Sequence, residues 1–120
     1  MIRCGIDMIE NKRIEDSIAR FGERFFTRFF TPGERADCND QPHRLAARIA
    51  AKEAVAKALG TGIGDVKWVE IEIRVNNARK RPTLHLHGDA AQVADDLGLT
   101  QWDVSLTHTK EFASAVVVAM

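Results

Sequence analysis

The stretch Arg48-Ile49-Ala50-Ala51-Lys52-Glu53-Ala54-Val55-Ala56-Lys57-Ala58-Leu59-Gly60 decides the fold. It closes the clearest helix of the chain, residues 43–59. Alanine has the highest helix propensity and loses no side-chain entropy, and Gly60 is suited to a left-handed C-cap. The alanines make a slim rod that another backbone or a ligand can approach closely. Glu53 and Lys57 lie one turn apart on one face, either as an i,i+4 ion pair or as a functional pair. Arg44, Arg48 and Lys52 form a second i,i+4 row, able to bind phosphate or to stay solvated. The turn Gly60-Thr61-Gly62-Ile63-Gly64 follows the helix, whereas a phosphate-cradling loop precedes one, where N–H groups are free. A C-cap and turn explain much of it, and close backbone contact with a ligand is its functional reading.

Working outward, residues 2–9 alternate as a strand, with Ile2, Cys4, Ile6 and Met8 on one face and Arg3, Gly5, Asp7 and Ile9 on the other. Cys4 reads as a small buried hydrophobe. Residues 11–30 read as one helix, with Asn11 as N-cap and Ile14, Ile18, Phe21 and Phe25 on a common stripe. Thr31-Pro32-Gly33-Glu34 is a capping box with proline at the first helical position, starting a short helix that fades near 37–40. Val69, Ile71, Ile73 and Val75 alternate with Glu70, Glu72 and Arg74, a half-buried strand. Residues 76–81 turn into a strand over 83–87 with Leu84 and Leu86 inward. Asp89 caps a helix running to Leu97 and ending at Gly98. Residues 103–109 and 112–119 make an antiparallel hairpin through Lys110-Glu111. The order β-α-α-α-β-β-α-β-β, without repeats or linkers, predicts an α+β class with an antiparallel sheet packed against a long helix.

The length, 120 residues and 13.4 kDa, suits one domain over residues 1–120. With 45% hydrophobic and 28% charged residues the composition excludes a disordered chain, a collagen-like repeat and a disulfide scaffold. Seventeen Lys+Arg balance seventeen Asp+Glu, which argues against a general nucleic-acid binder. The balance is uneven locally: Lys12, Arg13, Arg20, Arg24 and Arg28 outnumber Glu15, Asp16 and Glu23. That segment is either a solvated helix face or a surface for an acidic partner. Cys4 and Cys38 show neither metal-ligand nor disulfide spacing. Arg3 and Asp7 interrupt any signal peptide, and no apolar run approaches the roughly 20 residues of a membrane span. The cytoplasm is the expected location, with no membrane partner.

Two further residues stand out. Asp7 sits in an otherwise apolar strand, as a metal ligand or general base, or as a strand-end carboxylate bonding a helix N-terminus. Gly5, on its face, leaves space for a ligand. His108 is in phase with Val104 and Leu106, the usual setting of a satisfied core histidine. Ser105 and His108 point to opposite faces of a strand ~10 Å apart, which weighs against a serine hydrolase.

Taken together, Gly-Ile-Asp-Met-Ile-Glu at 5–10, Phe-Thr-Pro-Gly-Glu-Arg at 30–35, the 48–64 stretch and Val-Ser-Leu-Thr-His-Thr-Lys-Glu at 104–111 resemble the holo-[acyl-carrier-protein] synthases, the small bacterial type of 4′-phosphopantetheinyl transferase. The resemblance covers essentially the whole chain. It implies transfer of the 4′-phosphopantetheine arm of coenzyme A to a serine of apo-acyl carrier protein, in fatty acid biosynthesis, with adenosine 3′,5′-bisphosphate as the other product. It implies Mg²⁺ held by Asp7 and Glu53, and Lys57 near the phosphates. It further implies a coenzyme A site lined by Arg48, Lys57, Gly60, Thr61, Gly62 and His108. Carrier docking would fall on the first helix through Arg13, Arg20 and Arg24, and the family forms homotrimers with the site between protomers. Two carboxylates suit a hard cation that keeps waters and takes phosphate oxygens. Glu53 and a metal-bound water are the two candidate bases for the serine proton.

The chain departs from the family at 79–82. Arg79-Lys80-Arg81-Pro82 stands where Gly-Lys-Pro is usual, so the glycine is absent and Lys80 reads as displaced by one residue. The alternative function is a non-catalytic coenzyme A or carrier-protein binding module that kept the fold and lost turnover.

Overall fold

The structure is a computed structural model describing residues 1–120. Helix α4 (Pro42–Leu59) organises it and is buried along most of its length, including Leu45, Ala50, Ala51, Ala54 and Val55. Gly60 ends it at φ 77°, in the left-handed region expected of a C-cap glycine. One side of α4 lies on a three-stranded antiparallel sheet of order β1-β5-β4, built from β1 (Arg3–Glu10), β4 (Trp102–His108) and β5 (Phe112–Ala119). In register, Asp7 pairs with Ala115 and Leu106 with Ala115 from the other side. A second, two-stranded antiparallel sheet joins β2 (Ile71–Arg74) to β3 (Thr83–Leu86). The α+β expectation holds.

Helix α1 (Asn11–Phe21), helix α2 (Glu23–Phe29) and helix α3 (Pro32–Cys38) cover another flank of α4. Ile14, Phe25, Phe26, Phe30 and Leu45 make one apolar cluster there, and a larger one lies between α4, both sheets and α5 (Gly88–Asp96). The single helix expected over 11–30 is thus two helices. Gly22, at φ 57°, ends α1 and turns the chain, so the order gains one helix. The capping box at Thr31 and Glu34 is present.

Other local expectations change for stated reasons. Cys4 is exposed, because it is the Gly5-Asp7-Ile9 face of β1 that meets α4. The alternate face carries Ile6 and Met8, 64% and 63% exposed. The space beside Gly5 is occupied: a Cβ there would overlap the Ala54 carbonyl oxygen of α4. Small residues on both sides let strand and helix backbones touch. Asn11 is the first residue of α1 rather than its cap, and its Nδ2 donates to the Thr109 and Lys110 carbonyls of the β4–β5 turn. The strand expected over 69–75 begins as a short 3₁₀ turn, Trp68–Glu70, and is extended only from Ile71. Asp89 does not cap α5. Glu70 does, its carboxylate accepting the Asp89 N–H at 2.7 Å.

Candidate functional site

The inward face of β1 and the last turns of α4 bring Asp7, Glu53 and Lys57 together. Lys57 Nζ donates to Asp7 Oδ1 at 3.1 Å and to the Ile6 carbonyl at 2.8 Å. Burial pushes the Glu53 carboxyl pKa up, and the adjacent Asp7 charge and a hydrogen bond with Asp7 push it further, against the opposing pull of Lys57 and Arg13. Two carboxyl groups therefore crowd one another beside an ammonium. No group of three or more His, Cys, Asp or Glu side chains with metal-site spacing is present. The donor set fits a hard cation such as Mg²⁺, which takes one or two carboxylates and fills its remaining positions with water or phosphate oxygens.

A second cluster surrounds Arg48, nearer the start of α4. Arg48 is 6% exposed, its Nη1 reaches the Arg44 carbonyl at 3.4 Å, and its Nε has no hydrogen-bond partner. It lines a cavity of about 550 Å³ with Arg44, His43, His108, Lys80 and Asp37. His108 is exposed rather than a core histidine, with its ring 5.4 Å from that of His43. His108 pairs with Ala113 at the last position of β4, and it lines the Arg48 cavity rather than the core. Asp37 is already engaged: the Arg74 guanidinium holds its carboxyl below the usual range, and the Val75 N–H also donates to it.

Lys52 does not join Arg44 and Arg48 as a free cation. It is fully buried and donates to Glu34 Oε1 at 2.7 Å and to the Trp68 and Ile71 carbonyls. Gly60, Thr61 and Gly62 lie beyond the opposite end of α4 from Arg48, about 18 Å along its axis. The structure thus groups them with Lys57 and not with Arg48 or His108. Thr61 Oγ1 is buried without a partner, and Gly62 faces open space.

Arg13, Arg20 and Arg24 are all exposed along α1 and the start of α2. Arg20 and Arg24 bracket the Phe21 ring at 5.1 and 5.7 Å, and Phe21 is 41% exposed. Phe21 and Arg28 join Ser17 and Arg24 around a hollow of about 500 Å³. Sequence spacing put Phe21 in the core; the turn at Gly22 puts it outside. His43, on α4 itself, and Lys80, from the turn after β2, were missed as members of the Arg48 cavity, whereas Arg44 belongs to the i,i+4 row already read with Arg48.

Residues 3–117 match the family model of the 4′-phosphopantetheinyl transferase superfamily. The chain belongs to that superfamily. Among its relatives, the holo-[acyl-carrier-protein] synthase of Herpetosiphon aurantiacus is 45% identical over 100% of this chain and 99% of its own. That of Solidesulfovibrio magneticus is 50% identical over 98% of each. Among solved structures, the Helicobacter pylori holo-[acyl-carrier-protein] synthase in complex with coenzyme A superposes with TM-score 0.88 at 33% identity over 100% of both chains. The Bacillus anthracis synthase in complex with CoA (3′,5′-ADP) gives TM-score 0.77 at 35% identity, over 98% of this chain and 94% of that one.

The turn at 79–82 has one unusual backbone feature. Lys80 itself adopts φ 55°, the left-handed conformation suited to glycine.

Proposed function

We propose that the chain, as a single domain, is a holo-[acyl-carrier-protein] synthase. It moves 4′-phosphopantetheine from coenzyme A to a serine hydroxyl of apo-acyl carrier protein, in fatty acid biosynthesis in the cytoplasm. The serine oxygen forms a bond to the β-phosphorus of the coenzyme A pyrophosphate. The bridging P–O bond breaks, and adenosine 3′,5′-bisphosphate leaves. The observation that carries this reading is the meeting of Asp7 and Glu53 with Lys57, brought from β1 and α4.

Asp7 and Glu53 would hold Mg²⁺, which when bound supplies positive charge to the pyrophosphate. Lys57 adds a point charge for the phosphate oxygens, and its bond to the Ile6 carbonyl fixes its ammonium in place. Glu53 and a metal-bound water are the two candidates to take the serine proton. Gly60, Thr61 and Gly62 border this cluster, and Arg48 and His108 line the second cavity for the nucleotide part. Arg13, Arg20 and Arg24 form the docking surface for the acidic carrier.

The active form in this reading is a homotrimer with sites between protomers. Two observations support it. The outer face of the sheet exposes Ile6, Met8, Val116 and Val118. The Arg48 cavity, moreover, is lined by none of Asp7, Glu53 or Lys57. No helix is long and apolar enough to cross a membrane.

Intact-mass spectrometry of apo-acyl carrier protein incubated with the chain, coenzyme A and Mg²⁺ tests the reading. The expected result is a Mg²⁺-dependent mass gain of one phosphopantetheine on the carrier. Coenzyme A binding without any gain on several apo-carriers would replace it with the non-catalytic binding module.

A further inference from the structure

We propose that Asn11 is a positioning residue for the transfer: it pins the turn after β4 and so sets the place of His108. This rests on the coenzyme A reading above, in which His108 lines the nucleotide cavity.

Asn11 stands where an apolar side chain would pack at no polar cost. It is 5% exposed and shares the inward stripe of α1 with Ile14 and Ile18. Its Oδ1 is buried and has no hydrogen-bond partner. An unfilled buried acceptor costs free energy, so the gain from this amide lies at its other end.

There, Nδ2 donates to both the Thr109 and Lys110 carbonyls at 3.1 Å. No other group of the chain donates to either oxygen. The remaining groups of the turn close on one another. The Thr109 N–H donates to the Phe112 carbonyl at 2.7 Å, and Thr109 Oγ1 accepts the Phe112 N–H at 3.0 Å. The β1–β5 ladder stops at Glu10 and Phe112, and one bond beyond it the Asn11 N–H donates to the Glu111 carbonyl at 2.8 Å. The Asn11 side chain is thus what ties the outer part of this turn to the rest of the fold.

His108 ends β4 and is one peptide bond away from the first of the two pinned carbonyls. Its side chain is exposed at the edge of the Arg48 cavity, so its place is set by the backbone that carries it. Asn11 and His108 also face a common polar hollow of about 540 Å³, with His43, Glu15 and Lys110. A turn that is already pinned presents His108 to coenzyme A without an ordering cost at binding. A turn released from Asn11 meets that cost with each molecule bound. The cost falls on coenzyme A and not on the carrier, whose docking surface is on α1 and α2.

Asn11→Leu keeps the volume and removes both donors. Steady-state transfer is measured for wild type, Asn11→Leu, His108→Ala and the double variant, with urea unfolding of each. KM for coenzyme A is expected to rise about fivefold in Asn11→Leu, while kcat and KM for apo-carrier stay within about twofold. Unfolding stability should hold or rise, because a half-paired buried amide has gone. Adding His108→Ala to Asn11→Leu should raise that KM by less than about twofold more, because the two changes act through one group. If the leucine variant does not fold, Asn11→Ala, which leaves room instead of filling it, is read for the same split between the two KM values. Independent, multiplying effects of the two changes, an unchanged KM for coenzyme A, or an equal rise in both KM values with lower stability overturns the role of Asn11. Each leaves the transferase reading standing. A wild type that binds no coenzyme A and modifies no carrier overturns both.

Discussion

Lys52 and Glu34 form an ion pair with an N···O distance of 2.7 Å, and neither side chain has any exposed surface. The pair ties α3 to α4. It also reaches the start of β2, through the Ile71 carbonyl and the Ile73 N–H. Burial pushes the Lys52 pKa below its usual value, and Glu34 pulls it back up. Desolvating two charges is offset only where their other donors and acceptors are filled, and here they are. Lys52→Met should lower unfolding stability in urea by about 3–5 kcal/mol, because it strands the Glu34 charge. The double change with Glu34→Gln should lose less than the single one. A loss below about 1 kcal/mol for Lys52→Met would remove the pair from this role.

Asp7 tests the reacting end of the site. Asp7→Asn keeps shape but removes one of two carboxylates and the partner of Lys57. Carrier modification should fall at least about a hundredfold, equal to about 2.7 kcal/mol of barrier, with the far-UV circular dichroism unchanged. Activity within about threefold of wild type would take Asp7 out of the chemistry.

Glu53 gives a pH dependence whose sign is fixed by its surroundings. Its folded pKa is raised, first by burial and then by Asp7. The folded state therefore binds its proton more tightly than the unfolded chain does. Its carboxylate weakens the metal-free fold above the folded pKa. The penalty is relieved as pH falls from there toward the ordinary carboxylate value. Glu53→Gln should flatten that slope and raise Tm at neutral pH. Mg²⁺ should raise the Tm of the wild type by a few degrees and that of the variant hardly at all. Equal Mg²⁺ effects on both would mean that Glu53 does not hold the cation.

Much of this was legible in the sequence, and the failures share a cause. The alanine run of α4, the capping box at Thr31 and the hairpin through Lys110 are local signals, and the structure keeps each of them. Asp7 stood out as a carboxylate in an apolar strand, whereas spacing left Glu53 and Lys57 as either an ion pair or a functional pair until the family resemblance singled them out. Alternation in β1 showed two faces but not which one is covered. The apolar face of Cys4, Ile6 and Met8 looked like the inner one, yet Gly5 is what allows α4 to sit on the other. Lys52 and Arg48 looked alike on the helix wheel. Only Glu34, arriving from α3, separates a fully paired buried lysine from an arginine with a free donor. The Arg48 cavity draws on α3, α4, the 76–82 turn and β4, a juxtaposition that no spacing rule encodes.

The outward face of β1 and β5 bears on assembly. Val116 pairs with Ile6 on one side and Ser105 on the other, at the middle of the uncovered sheet face. It is 40% exposed in the single chain, so a charge there is tolerated by the isolated fold. Buried between copies, the same charge would be desolvated without a partner. Wild type is expected to give about three times the chain mass of 13.4 kDa by light scattering. Val116→Glu should fall to the single-chain mass with its circular dichroism intact. Carrier modification should fall with it, since Asp7, Glu53 and Lys57 on one protomer would then lack the Arg48 cavity of a neighbour. A wild type that runs as one chain, or a single-chain variant with full activity, would mean that each chain holds a complete site alone.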